Sequence, residues 1–265
     1  MINFYFLIVF LCSTLLITAS AYKWALPFNK SFLIILLASL LSILLSLFLS
    51  AFLGSISLLI VFVILQVGFY IGSLLFLFFR DPERTPPAED NIIVSPADGT
   101  IIYINEVKSG EILESKKKDK IVIHTDLSDS KLAEKDLLQI GISLLFTDVH
   151  INRSPIAGLV TTLKHRSGKF LSLRKKEAVD VNEKQTIIIE NQKIEVGLVQ
   201  IASRLVRRIE SYIKEGEKLQ VGTKIGMIKF GSQVDIFIPK TKVKSVSTQV
   251  GEYVRAGETI ICKII

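Results

Sequence analysis

Apolar residues dominate the first third of the chain and then give way to short, alternating runs. Three stretches, about 3–22, 31–53 and 56–79, each approach the ~20 residues that a helix needs to cross a bilayer. A core helix of a soluble domain of that length would carry a polar face, and none of the three has one. The pattern therefore predicts about three transmembrane helices within residues 1–79.

After Phe79 the pattern changes to short runs rich in β-branched residues, separated by Gly, Pro, Asn and Asp. Such runs are typical of strands joined by turns. One segment, about 203–213, is interpreted instead as a short helix or an irregular turn. The predicted strands are Ile92 to Val94, Thr100 to Val107, Lys120 to His124, Ile140 to Phe146, Leu159 to His165, Thr186 to Glu190, Ile194 to Ile201, Ile225 to Phe230 and Val234 to Ile238.

Two internal similarities refine the prediction for residues 80–265. Segments 95–101 and 154–160 share the pattern Ser-Pro-x-x-Gly-x-apolar before a strand, and segments 216–219 and 257–260 share Gly-Glu-x-apolar. Repeated segments of this kind indicate two related β-units. We therefore expect a mainly β, barrel-sandwich-like domain that follows the N-terminal transmembrane helices.

Charge is almost confined to this second part of the chain. Only two of the 32 basic residues, Lys23 and Lys30, and none of the 25 acidic residues precede Arg80. Lys and Glu alternate along the domain and form no basic stripe with interleaved aromatic residues, so nucleic acid is not an expected partner. A mildly basic surface beside a bilayer instead favours contact with anionic lipid head groups.

The flanking charges also predict how the helices are oriented. Lys23 and Lys30 bracket the first loop and Arg80 follows the third stretch, whereas the turn at Gly54 carries no charge. Positive residues prefer the cytoplasmic side of short loops, so we expect an integral protein of the cell membrane whose domain faces the cytoplasm. A rival interpretation takes 1–21 as a signal peptide ending at an Ala-Ser-Ala site, although its basic start is missing.

Residue types that commonly carry chemistry are few. Two cysteines, Cys12 and Cys262, cannot build a disulfide framework or a cysteine metal site, and no pair of histidines has metal-binding spacing. Two of the three histidines, His124 and His165, sit beside charged or turn residues, as solvated side chains do. His150 differs because it lies in a polar loop that directly follows a predicted strand. No metal site is expected.

Two further segments have simple structural interpretations when taken singly. Asp98 lies in Ser-Pro-Ala-Asp-Gly, which is a good β-turn sequence. Gly231 and Ser232 fall between two apolar strands, where a glycine can serve a bulge or a bend.

Taken together and in order, these segments resemble the phosphatidylserine decarboxylase family, particularly its short form. The resemblance runs from Phe78 to about Pro239. It is carried by Phe78-Phe79-Arg80-Asp81-Pro82-Glu83-Arg84, Val94-Ser95-Pro96-Ala97-Asp98-Gly99, Val149-His150-Ile151-Asn152-Arg153, Gly168-Lys169-Phe170, Asn182-Glu183, Val199-Gln200-Ile201-Ala202, Arg207-Arg208-Ile209, Glu215-Gly216, Gly222, Gly226-Met227-Ile228-Lys229-Phe230-Gly231-Ser232, Asp235 and Pro239.

The resemblance implies self-processing at the bond between Gly231 and Ser232. The Ser232 hydroxyl attacks the preceding carbonyl, and the chain separates into a large chain, 1–231, and a small chain, 232–265, which stay associated. Ser232 becomes a covalent pyruvoyl group, the cofactor of the reaction. His150, supported by Asp98, is the pair that the resemblance offers as the catalytic base.

The implied reaction is the decarboxylation of phosphatidylserine to phosphatidylethanolamine in phospholipid biosynthesis. The pyruvoyl carbonyl condenses with the substrate amine and withdraws electrons as CO₂ leaves, after which His150 could return a proton. Longer members of the family carry two histidines in this loop, and Arg153 occupies the position of the second. The division of roles between His150 and Asp98 therefore stays open, as does the choice between phosphatidylserine and archaetidylserine.

Two alternatives remain at this point. A membrane-tethered biotinyl- or lipoyl-like module without catalysis would share the pattern of short strands and Gly turns, although Met227 and Lys229 do not match its modified hairpin. A family member that had lost processing would only bind lipid, although Gly231, Ser232, His150 and Asp98 are all present. The sequence does not decide whether the protein forms a homo-oligomer.

Overall fold

The computed structural model describes residues 10–11, 13–15, 17–19, 21, 28–49, 54–111, 113–117, 120–123, 127, 130–167, 183–202, 208–229 and 232–265. It separates the chain into two compact units, Met1–Arg80 and Asp81–Ile265. The sequence motifs at Gly168-Lys169-Phe170, Asn182, Phe230 and Gly231 lie outside the described residues, as does part of the first predicted helix.

The first unit is helical. Every described residue between 10 and 21 is in a helical turn, and two longer helices follow, α1 (Phe28–Leu49) and α2 (Ser55–Phe79). By length and composition, Phe32–Leu49 and Ile56–Phe79 could each cross a membrane. The transmembrane role itself stays a prediction, because length and apolar composition alone do not establish a membrane span.

Several polar side chains are buried inside this helical unit, whereas many of its large apolar side chains are exposed. Gln66 on α2 is fully buried; it accepts a hydrogen bond from Ser13 Oγ and donates one from Nε2 to Ser39 Oγ on α1, at 2.9 Å. Large side chains such as Leu36 and Phe76 are at least half exposed. This is the reverse of a water-soluble bundle, and it suits helices that contact lipid outside and bond through small polar residues inside.

The second unit is built from short strands, β1 to β16, within the residues that the structure describes. Their bounds are β1 Ile92–Val94, β2 Gly99–Val107, β3 Glu114–Lys117, β4 Lys120–Ile123, β5 Leu137–Leu144, β6 Ile151–Arg153, β7 Gly158–Arg166, β8 Lys184–Glu190, β9 Glu195–Ala202, β10 Arg208–Ser211, β11 Lys218–Leu219, β12 Lys224–Lys229, β13 Ser232–Pro239, β14 Val243–Val246, β15 Tyr253–Val254 and β16 Ile260–Ile264.

Eight of these strands form one antiparallel sheet in the order β11-β7-β8-β9-β13-β5-β2-β15. Two three-stranded sheets, β1-β16-β14 and β10-β12-β6, and the hairpin β3-β4 complete the described part. Alternate residues of the central strands, such as Ile142 on β5 and Val234 on β13, point into one buried apolar cluster. Each fully buried side chain of this kind stabilises the fold by about 1.5–3 kcal/mol. The predicted mainly β class is confirmed, whereas the barrel-sandwich detail stays a prediction.

The structure corrects one predicted segment and adds several strands. Residues 208–211 form β10 instead of a helix or irregular turn, because they pair antiparallel with β12 from Arg208 opposite Lys229 to Ser211 opposite Gly226. This pairing gives the backbone groups of residues 208–211 hydrogen-bond partners on β12, a strand that lies later in the sequence. Residues 203–207 of the same prediction lie outside the described part. The added short strands, including β6, β11 and β15, also depend on pairing partners elsewhere in the chain.

The internal repeat is visible in the hydrogen bonds of the two related segments. Ser95 and Ser154 each donate from Oγ to a carbonyl two residues further on, at 2.7 and 2.6 Å. Gly257 N donates to Ser95 O at 2.8 Å, and Gly222 N donates to Ser154 O at 2.9 Å. A Cβ added to Gly257 would lie 3.3 Å from the Gly222 Cα. The two equivalent turns therefore meet closely, and the positive φ of 75° at Gly257 favours glycine there.

Candidate active site

Asp98 lies at the end of the turn between β1 and β2 and is almost fully buried. Its Oδ2 accepts a hydrogen bond from Arg84 Nη2 at 2.9 Å, and its Oδ1 accepts one from the Ala256 amide at 2.8 Å. The related turn of the second repeat has Ala157 at the equivalent position. The repeat supplies the same backbone twice, and only the first copy carries a carboxylate.

Burial raises the pKa of Asp98 above its ordinary value, because a carboxylate that loses its water is harder to ionise. The Ala256 amide and the Arg84 guanidinium act in the opposite direction, and the negative charge of Asp148 adds to the increase. Arg84 also binds Glu258 Oε2, at 2.6 Å. Burial and the two hydrogen-bond partners of Asp98 thus act in opposite directions on its ionisation.

His150 lies in the loop between β5 and β6 and is fully buried. Its Nδ1 is 2.9 Å from the carbonyl oxygen of Asp148. Because a carbonyl oxygen only accepts, Nδ1 carries the proton in this arrangement, and Nε2 is then the basic nitrogen of the neutral ring. The loop backbone therefore fixes which nitrogen can take up a proton.

Backbone contacts bring the Asp98 turn and the His150 loop together. Arg153 N, on β6, donates to Pro96 O at 2.8 Å. Asp148 contacts His150 through its carbonyl oxygen, and its carboxylate acts on Asp98 through its charge. Both carboxylate oxygens of Asp98 accept hydrogen bonds, one from Arg84 and one from the Ala256 amide. The connection from Asp98 to His150 therefore runs through the turn and the loop that carry these two residues.

Arg153, at the position where the resemblance led us to consider a second histidine, is held by several hydrogen bonds. Its guanidinium donates to Gly222 O, to Asp81 Oδ1 and to Pro82 O, each at 3.0 Å. An arginine does not give up its proton in proteins, so Arg153 cannot replace a histidine base. It anchors the segment that follows α2 in sequence, and Lys224 forms a second ion pair with Asp81.

Sequence reasoning missed the roles of Asp81 and Arg84. Both belong to the motif Arg80-Asp81-Pro82-Glu83-Arg84, which contributes to the family resemblance but does not by itself indicate a role for either residue. The available signal was the sudden run of charge directly after an apolar stretch of some twenty residues. In the structure, Asp81 binds Arg153 beside the second repeat and Arg84 binds Asp98 in the first.

Ser232 is the first residue of β13. Its backbone position pairs with Leu144 on β5 and with Ala202 on β9. The side chain of Ser232 and the residues 230–231 lie outside the described part of the chain. Four residues earlier, Ile228 N donates to His150 O at 3.3 Å. Position 232 follows Ile228 by four residues, which span about 14 Å at most when extended. Position 232 therefore lies within this distance of Ile228, whose amide bonds to the His150 carbonyl.

Another buried carboxylate, Asp235, supports β13. It accepts hydrogen bonds from Tyr103 Oη at 2.5 Å, Gln139 Nε2 at 2.7 Å and Gln233 Nε2 at 2.8 Å. The Tyr103 ring crosses Gly141, where an added Cβ would lie only 2.3 Å from a ring atom. This network fixes the register of the strand that begins at Ser232.

Other potential ligands and nucleophiles are not grouped in the described part of the chain. Among its residues, no set of three or more His, Cys, Asp or Glu side chains could hold a metal ion. Burial raises the pKa of the Cys262 thiol to about 12, so this thiol stays protonated and unreactive.

Comparison with known proteins agrees with the resemblance in the sequence. The family model described as phosphatidylserine decarboxylase matches residues 71–262. A phosphatidylserine decarboxylase proenzyme of Carboxydothermus hydrogenoformans is 37% identical over 205 residues, which cover 75% of this chain and 86% of the relative. A proenzyme of the same name from Erythrobacter litoralis is 37% identical over 188 residues, covering 71% and 72%. A Methanocaldococcus jannaschii protein, provisionally named archaetidylserine decarboxylase proenzyme, is 40% identical over 184 residues, covering 69% and 86%. The chain therefore belongs to the phosphatidylserine decarboxylase family.

Proposed function

We propose that this protein removes the carboxylate of phosphatidylserine to give phosphatidylethanolamine and CO₂, at a pyruvoyl group made from its own Ser232. The observation that carries the proposal is the family-model match over residues 71–262, which include Gly231, Ser232, His150 and Asp98, together with the similarity to several proenzymes. Archaetidylserine, the lipid in the name of the Methanocaldococcus jannaschii relative, also carries a serine head group. The proposed substrate class is therefore a phospholipid with a serine head group.

The surroundings of position 232 fit a chain that begins there. β13 pairs on one side with β5 and on the other with β9, so cutting the chain before residue 232 leaves the strand held from both sides. When present, a pyruvoyl group supplies a carbonyl that draws electrons from the substrate as its carboxylate departs.

Self-cleavage needs a hydroxyl, a base and an accessible carbonyl. The Ser232 Oγ attacks the carbonyl carbon of Gly231, the bond between this carbon and the Ser232 nitrogen breaks, and the hydroxyl proton moves to that nitrogen. Loss of the Ser232 α-proton to the base then expels the Gly231 carboxylate and leaves dehydroalanine at residue 232, and hydrolysis of this residue releases ammonia and gives the pyruvoyl group. Glycine at 231 offers the least steric obstruction to this attack. His150, with Nδ1 bonded to Asp148 O, presents Nε2 as the base.

In decarboxylation, His150 holds and returns a proton close to position 232. A buried imidazole with one fixed nitrogen suits this role, because its other nitrogen can take up and release the proton. Asp98, which is held by Arg84 and the Ala256 amide, positions the turn whose Pro96 carbonyl bonds to the segment that carries His150.

The two chains stay together because their strands interleave. The small chain, 232–265, contains β13 to β16, and each of these except β14 pairs with a strand of the large chain 1–231: β13 with β5 and β9, β15 with β2, and β16 with β1. Cleavage thus removes one covalent bond and leaves the sheets paired.

The intact mass of the purified protein tests the proposal. We expect two chains, 1–231 and 232–265, with the small chain resistant to Edman sequencing because its first residue has no free amine. A preparation that releases CO₂ from phosphatidylserine while it remains one chain with an intact Ser232 would contradict the mechanism.

We also propose that the helices of residues 1–79 span the cell membrane and that the domain 80–265 faces the cytoplasm. The buried Gln66, the exposed apolar side chains of α1 and α2, and the basic residues Lys23, Lys30 and Arg80 support this arrangement. In right-side-out vesicles, added protease should leave the domain intact until the membrane is opened. Digestion from outside would favour the opposite orientation.

A further inference from the structure

Four large apolar side chains lie exposed on the second unit, close to the candidate active site. They are Ile102, Leu145, Val250 and Tyr253, and they are between 36% and 59% exposed. Single apolar residues are common on a protein surface, whereas a group of them marks a contact with another molecule or with a membrane. We call these four residues the apolar patch.

Backbone hydrogen bonds hold one half of the patch together. The Gly251 amide donates to Ile101 O at 2.8 Å, and the Ile101 amide donates to Glu252 O at 2.9 Å. The turn that carries Val250 therefore lies against the strand that carries Ile102.

The other half of the patch borders the His150 loop. Tyr253 Oη donates to Asp148 Oδ1 at 3.1 Å, and the Leu145 amide donates to Asp148 Oδ2 at 2.7 Å. The carbonyl oxygen of the same Asp148 is 2.9 Å from His150 Nδ1. The patch is thus continuous with the loop that carries the proposed base.

Arg255 adds a positive charge at the edge of the patch. Val254 is buried between Tyr253 and Arg255, so the side chains of these two residues project to the same, exposed side of the chain. Within the part of the chain that the structure describes, the Arg255 guanidinium has no hydrogen-bond or ion-pair partner; only the Arg255 backbone is bonded. The next amide, that of Ala256, donates to Asp98. An exposed cation therefore lies directly beside the candidate site.

Matching hydrogen bonds align this surface with its copy in the second repeat. Gly251 N donates to Ile101 O and Gly216 N donates to Val160 O, each at 2.8 Å. Gly216 is therefore the structural equivalent of Gly251, and not of Gly257 as the sequence pattern suggests. The residues that replace Ile102, Val250, Tyr253 and Arg255 in the second repeat are Thr161, Glu215, Lys218 and Gln220.

The same backbone thus carries mostly polar side chains in the second repeat and an apolar patch with a cation in the first. One exchange runs the other way, because Leu159 stands in place of Thr100. The fold itself therefore does not require an apolar surface at these positions. The patch belongs to the copy whose turn carries Asp98, which connects it with the use of the site.

We infer that the apolar patch and Arg255 contact the lipid surface from which the substrate comes, with the four side chains against acyl chains and Arg255 against a lipid phosphate. The inference rests on the proposed function, because a serine phospholipid must present its head group to the site while its chains stay among other lipids. Burial of apolar side chains favours such a contact, and a guanidinium matches the geometry of a phosphate. Apolar residues combined with basic ones are typical of surfaces that bind a membrane interface.

Quenching of a dye by lipid tests the contact directly. In the full chain with Cys12→Ser, the variant Val250→Cys carries an environment-sensitive dye, and the vesicles contain phospholipid with brominated chains. Cys262 is buried with a raised thiol pKa, so it does not react with the dye. We expect quenching of the dye at position 250 and none with Leu159→Cys, its counterpart on the second repeat. A dye at 250 that is shielded from water but not quenched would indicate a protein partner and would overturn the inference, as would a dye that stays in water.

A comparison of two forms of phosphatidylserine tests the role of the contact. Val250→Asp should release CO₂ about tenfold more slowly from long-chain phosphatidylserine in phosphatidylcholine vesicles, the effect of losing one buried apolar side chain. The same variant should act at the wild-type rate on short-chain phosphatidylserine that stays monomeric, and its precursor should be cut normally, which shows that it folds. Leu159→Asp is the matched control and should equal the wild type with both lipids.

Arg255→Gln should raise the KM for the vesicle substrate. A raised KM for the short-chain lipid as well would assign the phosphate to the substrate itself, whereas a normal one would assign it to a neighbouring lipid. An unchanged KM with both lipids would exclude Arg255 from the contact, and a wild-type rate of Val250→Asp on vesicles would overturn the role of the patch. A wild-type chain that releases no CO₂ from either lipid would instead refute the proposed function, and the dye would still decide whether the patch meets lipid.

Discussion

We expect Ser232→Ala to leave the protein as one uncut chain without decarboxylase activity. The variant has no hydroxyl to attack the Gly231 carbonyl, so neither the ester nor the new chain end can form. Because β13 is held by β5 and β9 through its backbone, the substitution should not unfold the domain. Mass spectrometry should find the full-length chain alone, and CO₂ release from labelled phosphatidylserine should fall to background.

Two companion variants sharpen this result. Ser245→Ala, an exposed position on β14 of the same small chain, should cleave and decarboxylate normally. Ser232→Cys retains a nucleophile and should be cut, although at a different rate. An active Ser232→Ala protein would remove the pyruvoyl mechanism altogether.

His150→Ala and Asp98→Asn are expected to reduce the reaction about 10²- to 10⁴-fold, the usual contribution of a positioned base. His150 is fully buried with Nδ1 fixed to Asp148 O, and Asp98 is bound by Arg84 and the Ala256 amide. The two steps are measured separately, as the rate of precursor loss and as CO₂ released per small chain. A variant that cleaves normally but fails to release CO₂ has its role confined to decarboxylation.

Because Asp98 is a buried carboxylate, we expect the rate of self-cleavage to depend on pH. Burial raises the pKa of Asp98, so as pH falls its charge is lost earlier than that of an exposed aspartate. Arg84 opposes this shift, whereas Asp148 enhances it. Replacing Arg84 with Gln should therefore raise the pKa further and move the acid limb of the cleavage rate to higher pH, and Arg84→Lys should move it less. An acid limb that is unchanged in Arg84→Gln would show that the ionised form of Asp98 is not required.

One outcome with the His150 and Asp98 variants would contradict the proposed roles of these residues. Normal cleavage and normal CO₂ release in both His150→Ala and Asp98→Asn would exclude these residues from the mechanism. Arg153 would not be the substitute base, because its guanidinium is already bound to Gly222 O, Asp81 and Pro82 O.

Sequence alone was sufficient where the information is local. Uninterrupted apolar stretches predict helices, and α1 and α2 form there. Alternating β-branched runs predict strands, and those of β5, β9 and β13 are present within a few residues of the predicted bounds. The motifs that contain Asp98, His150 and Ser232 could also be identified from the sequence, because their residue types and their order resemble one family. Taken singly, the Asp98 and Ser232 motifs suggest only a turn or a bend.

Tertiary structure decided what depends on partners distant in sequence. β10 is a strand because β12 pairs with it, and no local pattern in Arg208–Ser211 indicates that. Arg84 meets Asp98, Asp81 meets Arg153, and Gln185, Gln200 and Asn152 form one line of amides, all between residues well separated along the chain. A side chain's period along a strand or helix is fixed by its near neighbours, whereas its ionisation, its orientation and its unpaired donors are fixed by whatever the fold packs against it.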